Sequence, residues 1–297
     1  MWKSKLKSTK DRVLSSYLVA AKERLEEFRF YDVASHHLNR LTSREYFTLN
    51  ADLSYGEHAR QKLDLYKAKS PRLDKPLIVF VHGGTWAHGK KEDYLFVGES
   101  FAREGFNVAV INYRLAPEHK FPDYVNDLVV ALNYLEKEKQ ALNVSTENII
   151  LMGHSAGGFN IMSAIYSPYE SALVCKHQVK MVIGLAGPYH FKYMGDANLE
   201  QAFDLSLDYK EVMPYYFVEK NDIHHVLLLA SKDFLVAKSN TLDMHDKLME
   251  VGNISIIKTV PYTGHITLVG SLSSYTSRMF ATKAEILKEI NRCLGEA

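Results

Sequence analysis

Apolar positions along the chain gather into short dense runs, and the segments between them follow helical spacing. The runs are Leu77–Val81 (LIVFV), Asn107–Asn112 (NVAVIN), Asn148–Met152 (NIILM), Val179–Leu185 (VKMVIGL), His224–Ala230 (HHVLLLA) and Ile254–Val260 (ISIIKTV). Runs of this kind suit strands covered on both faces. Two earlier segments, Glu45–Ala51 and Arg60–Tyr66, read as antiparallel strands around Ser54-Tyr55-Gly56. Helices are predicted over 92–104 with Gly105 as the stop, from Pro122 to about Lys139, and over 156–166, 237–251 and 282–294. Pro122 suits the first turn of a helix, where a missing N–H is harmless. Strands alternating with helices imply a mostly parallel, eight-stranded sheet with helices on both faces.

Two segments stand outside that alternation. Residues 1–43 look helical and are set apart as a cap segment, leaving 44–297 as the main domain. Within 1–28, Trp2, Leu6, Val13, Leu14, Tyr17, Leu18, Ala21, Leu25 and Phe28 fall at near-helical spacing beside an early basic cluster. That stripe packs on the body of the protein in one reading and lies on a membrane surface in the other; packing is the preferred one. Residues 187–222 hold no clear strand and are rich in aromatics, as a lid or pocket wall inserted at the sheet edge would be. Tyr189, Tyr193 and Phe217, with Trp86 upstream, are its candidate pocket residues; the alternative is that the aromatics pack the insertion's own core.

Composition narrows the picture modestly. The chain has 297 residues, 46% of them hydrophobic, enough for one large core. Its 36 basic and 35 acidic side chains leave a net charge of +1, so no nucleic-acid partner is indicated. No apolar run is long enough to span a membrane. The N-terminus lacks the apolar core and cleavage site of a signal peptide, and only two cysteines occur, so a reducing, cytoplasmic setting is expected. Oligomeric state stays open, a homodimer included.

Candidate chemistry centres on Ser155, in Gly153-His154-Ser155-Ala156-Gly157, between an apolar strand and a proline-free helix. A G-x-S-x-G segment in that context lifts a serine Oγ to the carboxyl edge of the sheet. Its glycines let neighbouring chains close around a strained serine backbone. An oxyanion needs donors, and Leu77–Val81 runs directly into His82-Gly83-Gly84-Thr85-Trp86. The N–H groups of Gly83, Gly84 and Ala156 are assigned to it. Asp233 follows the end of the His224–Ala230 strand, where a carboxylate can orient an imidazole. Asp222 precedes that strand, at the wrong end of the sheet, and Asp208 lies in a polar connection. Of 13 histidines, only His265 follows both the last strand and Asp233, and Gly264 before it permits a tight turn. The order Ser155, Asp233, His265 is that of the α/β-hydrolases. No H-E-x-x-H, zinc-spaced cysteine pair or P-loop occurs, and His36-His37 and His224-His225 lack i, i+4 spacing. No metal or organic cofactor is therefore expected.

These motifs, with Tyr113-Arg114-Leu115-Ala116-Pro117-Glu118, Phe121-Pro122, Gly158 and the opening Gln61-Lys62-Leu63-Asp64-Leu65-Tyr66, resemble the HGG-containing carboxylesterases from about residue 54 to 270. The likeness is nearest to the feruloyl/acetyl-xylan-type esterases and the kynurenine formamidases, and more distant to the hormone-sensitive-lipase-like esterases. It implies an α/β-hydrolase fold, with a helical cap or lid from the N-terminus and residues 187–222. Three departures stand out. Thr85 replaces the third glycine of an HGGG segment, keeping its N–H but adding a side chain to the pocket. His154 stands where the lipase-like branch usually has Asp. Ala186-Gly187-Pro188-Tyr189 replaces a Ser-Gly-containing segment common in formamidases. Arg114 and Asp127 are expected to pair behind the site. The resulting expectation is a serine carboxylesterase for small or aryl esters. The rivals are an aryl formamidase using the same residues, a non-catalytic binding protein on the same fold, and a surface lipase that uses its N-terminal helix.

Overall fold

A computed structural model describes residues 33–74, 76–169 and 172–295. The proposed amphipathic helix of residues 1–28 lies outside them. The described chain opens with helix α1 (residues 33–41), then strands β1 (Phe47–Ser54), β2 (Lys62–Ala68) and β3 (Leu77–Val81). A 3-10 turn at Lys91–Tyr94 leads into α2 (Leu95–Ala102), β4 (Asn107–Ile111), α3 (Asp123–Leu142), β5 (Ile149–His154) and α4 (Ala156–Tyr166). After β6 (Val179–Leu185) come short helices α5 (Ala197–Glu200) and α6 (Tyr209–Val212) and a 3-10 turn at Pro214–Phe217. The chain continues through β7 (His224–Ala230), α7 (Lys238–Glu250), β8 (Ile254–Val260), α8 (His265–Gly270) and α9 (Thr282–Leu294).

The eight strands form one sheet in the order β1-β2-β4-β3-β5-β6-β7-β8. Pairing is antiparallel from β1 to β2 and from β2 to β4, and parallel from β4 through β8. The uninterrupted apolar runs of β3 and β5 are explained by burial at every position. Their alternate side chains feed two cores on opposite faces. Leu77, Val79, Val81, Ile149 and Leu151 pack with Leu128, Leu132 and Ile161 of α3 and α4. Ile78, Phe80, Ile150 and Met152 pack with Phe101 of α2 and Ile286 and Ile290 of α9. The chain leaves β3 for β4 on one side and returns to β5 on the other. A crevice therefore opens at the carboxyl ends of β3 and β5, where ligands bind in sheets of this kind.

Local boundaries depart from expectation where tertiary contacts decide them. The first two strands run about two residues later than predicted, because a bulge between Asn50 and Leu53 carries β1 on to Ser54. The helix expected from Glu92 is divided into the 3-10 turn and α2, and Gly105 stops it at φ 88°. The Arg114–Asp127 pair forms as expected. Asp127 is fully buried and accepts from Arg114 Nη2 at 2.8 Å and from Gln61 Nε2 at 2.8 Å.

The aromatics of 187–222 do not form a separate core. Phe203 lies edge-on to Trp86 at 4.9 Å and stacks on Tyr193 at 4.5 Å, joining the α3/α4 core.

Candidate active site

Ser155 occupies the corner between β5 and α4 at φ 54°, ψ −123°, a conformation that non-glycine residues avoid. Close neighbours make the corner possible. A Cβ on Gly157 would lie 2.1 Å from the Val81 carbonyl oxygen, and one on Gly153 would lie 2.3 Å from that of Gly157. Because α4 begins at Ala156, that residue's N–H is among those a helix start leaves without an intrahelical partner.

The turn after β3 is held from several sides. His82 is fully buried; its Nδ1–H donates to the Gly83 carbonyl at 2.7 Å, and its ring stacks on Tyr113 at 4.4 Å. Burial pushes its pKa down to about 3, against the opposing hydrogen bond to Gly83. Arg60 donates to the carbonyls of Tyr113 at 2.7 Å and Gly89 at 2.8 Å. Trp86 Nε1 donates to Asn160 Oδ1 of α4 at 2.9 Å, tying the turn to the elbow helix. Thr85 and Trp86 both take positive φ, at 52° and 58°, with Gly84 at 124° before them.

Asp233 and His265 come together from the ends of β7 and β8. His265 Nδ1 lies 2.8 Å from Asp233 Oδ2, and both side chains are nearly buried, 6% and 3% exposed. Asp233 Oδ1 accepts from the N–H groups of Leu235 at 2.9 Å and Val236 at 3.0 Å. Burial pushes the Asp233 pKa up; the hydrogen bond and charge of His265 and the two backbone donors outweigh it, so the carboxyl stays below its usual range. His265 opens α8, a helix that the sequence did not suggest.

The competing carboxylates are placed elsewhere. Asp208 caps α6, and Asp222 lines a small pocket with Lys180, His224 and Cys293 at the amino end of the sheet. His225 is buried between Tyr166 and the Ile254 carbonyl. Cys175 and Cys293 are free.

Ser155, His265, Gly83, Gly84 and Ala156 line one cavity of about 990 Å³. Thr85, Trp86, Leu115, Phe191, Leu199, Leu235 and Val236 are among the other residues of its wall, and Ser35, His36 and Asn39 of α1 line it as well. Tyr189, Tyr193 and Phe217 are not among the lining residues. Tyr189 is drawn beneath the sheet edge, where Gly184 leaves space: a Cβ there would sit 1.8 Å from its hydroxyl. Tyr193 is buried with its hydroxyl donating to the Leu207 carbonyl at 2.5 Å, and Phe217 packs on the α3/α4 core. Phe191, midway between the two tyrosines, takes the wall position instead. No group of side chains suited to a metal ion occurs among the described residues. No helix among them is long and apolar enough to cross a membrane.

Sequence reasoning missed His82, Arg60, Asn160 and His154 as organisers of the site. The available signal was polarity out of place, such as Asn160 within the apolar AGGFNIMSAIY helix.

The chain is 30% identical over 176 residues to a probable isoprenylcysteine alpha-carbonyl methylesterase of Oryza sativa subsp. japonica, which takes in 56% of this chain and 42% of the relative. The chain thus spans less than half the length of that curated relative. It is 24% identical over 269 residues to a kynurenine formamidase of Salmo salar, covering 88% of this chain and 85% of the other. The crystal structure of esterase B from Lactobacillus rhamnosis superposes with a TM-score of 0.75 at 17% identity, over 95% of this chain and 96% of that one, a likeness of α/β-hydrolase fold. The family described as BD-FAE matches residues 63–248, well over half of the chain, and the protein belongs to it.

Proposed function

We propose that the protein is a serine carboxylesterase that hydrolyses small or aryl carboxylic esters through an acyl-enzyme intermediate. One observation carries the reading: the Asp233–His265 pair, at 2.8 Å, stands beside a cavity that also holds a serine at φ 54°, ψ −123°. Because Nδ1–H of His265 donates to a carboxylate, Nε2 is left as the base. It takes the Ser155 proton as Oγ attacks the ester carbonyl. Asp233 stays ionised and stabilises the imidazolium. The N–H groups of Gly83, Gly84 and Ala156 hold the oxyanion, and loss of one such donor typically costs ~10²–10³ in kcat. His265 then protonates the departing alcohol. Water, activated by the same imidazole, attacks the acyl-serine and releases the acid.

The Trp86, Phe191 and Leu235 wall favours a flat or short apolar group. The methylesterase named among its relatives fits a small leaving alcohol. Two free cysteines fit a reducing, cytoplasmic setting. A second reading, hydrolysis of an aryl formamide, is favoured by the likeness to a kynurenine formamidase across 85% of that protein. The deciding experiment is a series of p-nitrophenyl esters from C2 to C16 beside N-formylkynurenine, with Ser155→Ala as control. Turnover of the short esters, lost in the variant, is expected. Preferential turnover of the formamide would move the assignment to an amidase, and turnover that survives in Ser155→Ala would end the serine mechanism.

A further inference from the structure

His154 closes β5, directly before Ser155, and its ring is buried. Its Nε2 lies 3.0 Å from the backbone carbonyl oxygen of His265, and its ring centre lies 4.8 Å from that of His265, tilted by 44°. A carbonyl only accepts, so Nε2 carries the proton and Nδ1 holds a lone pair. Burial first, and the neighbouring His265 second, push the His154 pKa down to about 3, so the ring remains a neutral donor at working pH. On its other side the ring meets the turn after β3. A Cβ on Gly83 would lie 3.1 Å from His154 Nδ1 and 3.0 Å from the Ser155 Cβ. One side chain therefore joins three separately built parts of the site: the elbow, the glycine turn and the first residue of α8.

Asp233 fixes which way the His265 ring turns, but it does not hold the backbone that carries the ring. That backbone is held from the β7 side, where Lys232 N–H donates to the Thr263 carbonyl at 2.8 Å, and by the fully buried Leu268 and Val269 of α8; the His154 bond is the contact that reaches it from the elbow. Resting on the serine-hydrolase reading above, we propose that His154 is a positioning residue for His265. Its Nε2–H bond to the His265 carbonyl sets how far the imidazole stands from Ser155 and the oxyanion donors. An acid at this position could not do the same, because a carboxylate accepts and the carbonyl opposite offers no proton.

The test compares His154→Phe, which keeps a ring without the donor, with His154→Gln, whose amide nitrogen reaches about as far as Nε2. Kinetics use the best p-nitrophenyl ester of the wild type, with Ser155 labelling by a fluorophosphonate and thermal melting measured alongside. His154→Phe is expected to lose roughly 10²-fold in kcat, the scale of a 1 Å misplacement, with KM nearly unchanged. His154→Gln is expected to recover most of that loss, and labelling rates to follow the same order. Should the phenylalanine variant not fold, His154→Asn, too short to reach the carbonyl, gives the same contrast against His154→Gln. Wild-type kcat in the donor-free variants would overturn the proposal. Equal losses in Gln, Phe and Asn would make His154 a packing residue, and a loss confined to KM would make it part of the substrate wall. Absence of both turnover and labelling in the wild type would remove the serine-hydrolase reading, and this inference with it.

Discussion

Asp233 uses its two oxygens for different purposes. Oδ1 takes two backbone N–H groups from the loop it belongs to, and Oδ2 takes the imidazole. In Asp233→Asn the carbonyl oxygen keeps the backbone pair, so the amide NH₂ faces His265 Nδ1. That ring nitrogen must then accept, which moves the ring's proton to Nε2 and leaves no base for Ser155. Kcat is expected to fall by roughly 10⁴ with little change in melting temperature, as tautomer reversal does in serine-protease triads. Steady-state kinetics on a short ester checks this; an Asn variant within tenfold of wild type would exclude the assigned role. At this scale the sequence was informative about groups that chain order constrains. Ser155, Asp233 and His265 each follow a strand, and three ordered positions leave few alternatives. His154 and Arg60 were illegible because each binds the backbone carbonyl of a residue far along the chain, and a carbonyl leaves no mark in the sequence.

Elements were legible where burial is complete on both faces and less so where tertiary packing chooses among options. β3 and β5 announced themselves as continuous apolar runs. The 187–222 segment gave only its aromatic content, which cannot distinguish a pocket wall from core; the room left by the missing side chain of Gly184, which the Tyr189 hydroxyl fills, decided in favour of core for Tyr189. The same kind of contact decides how α4 meets β3. At Gly157 an added Cβ would meet two backbone oxygens, Val81 at 2.1 Å and His82 at 2.6 Å, which cannot yield unless the helix leaves the strand. At Gly158 its nearest neighbours are Gly187 Cα at 3.0 Å and the Tyr189 hydroxyl at 3.3 Å, a far milder conflict. Gly157→Ala is expected to destabilise by about 3 kcal/mol, the upper end for overpacking, and Gly158→Ala by about 1 kcal/mol. Urea denaturation separates the two. Equal midpoints would mean that α4 tolerates displacement and that the elbow is not set by this approach.

For the molecule as a whole, three buried neutral imidazoles link folding to pH. His82 and His154 are pushed down to about 3 and His225 to about 4, each chiefly by burial. Nε2 of His225 accepts from the Tyr166 hydroxyl, which requires the neutral ring, while the Nδ1–H bond to the Ile254 carbonyl works against burial without outweighing it. In the unfolded chain each ring takes its proton near the ordinary value of 6.5, whereas in the folded chain protonation waits until 3 or 4. Between those limits the unfolded chain binds more protons. The contribution of these rings to stability is therefore complete above pH 6.5 and is lost progressively as the pH falls below it. One such group gives a slope approaching ~1.4 kcal/mol per pH unit, and three together up to ~4 kcal/mol per pH unit. Asp233, held below its usual range, adds a loss of the same sign at lower pH. The two histidines next to the site cannot be changed without disturbing it, but His225 lies at the far end of β7. His225→Asn can keep the bond to Ile254 while removing the titration, so melting temperature against pH should flatten by about one third between pH 6 and 4.5. A wild-type melting temperature that stays level from pH 7.5 to 5 would show that these rings are not held neutral by burial.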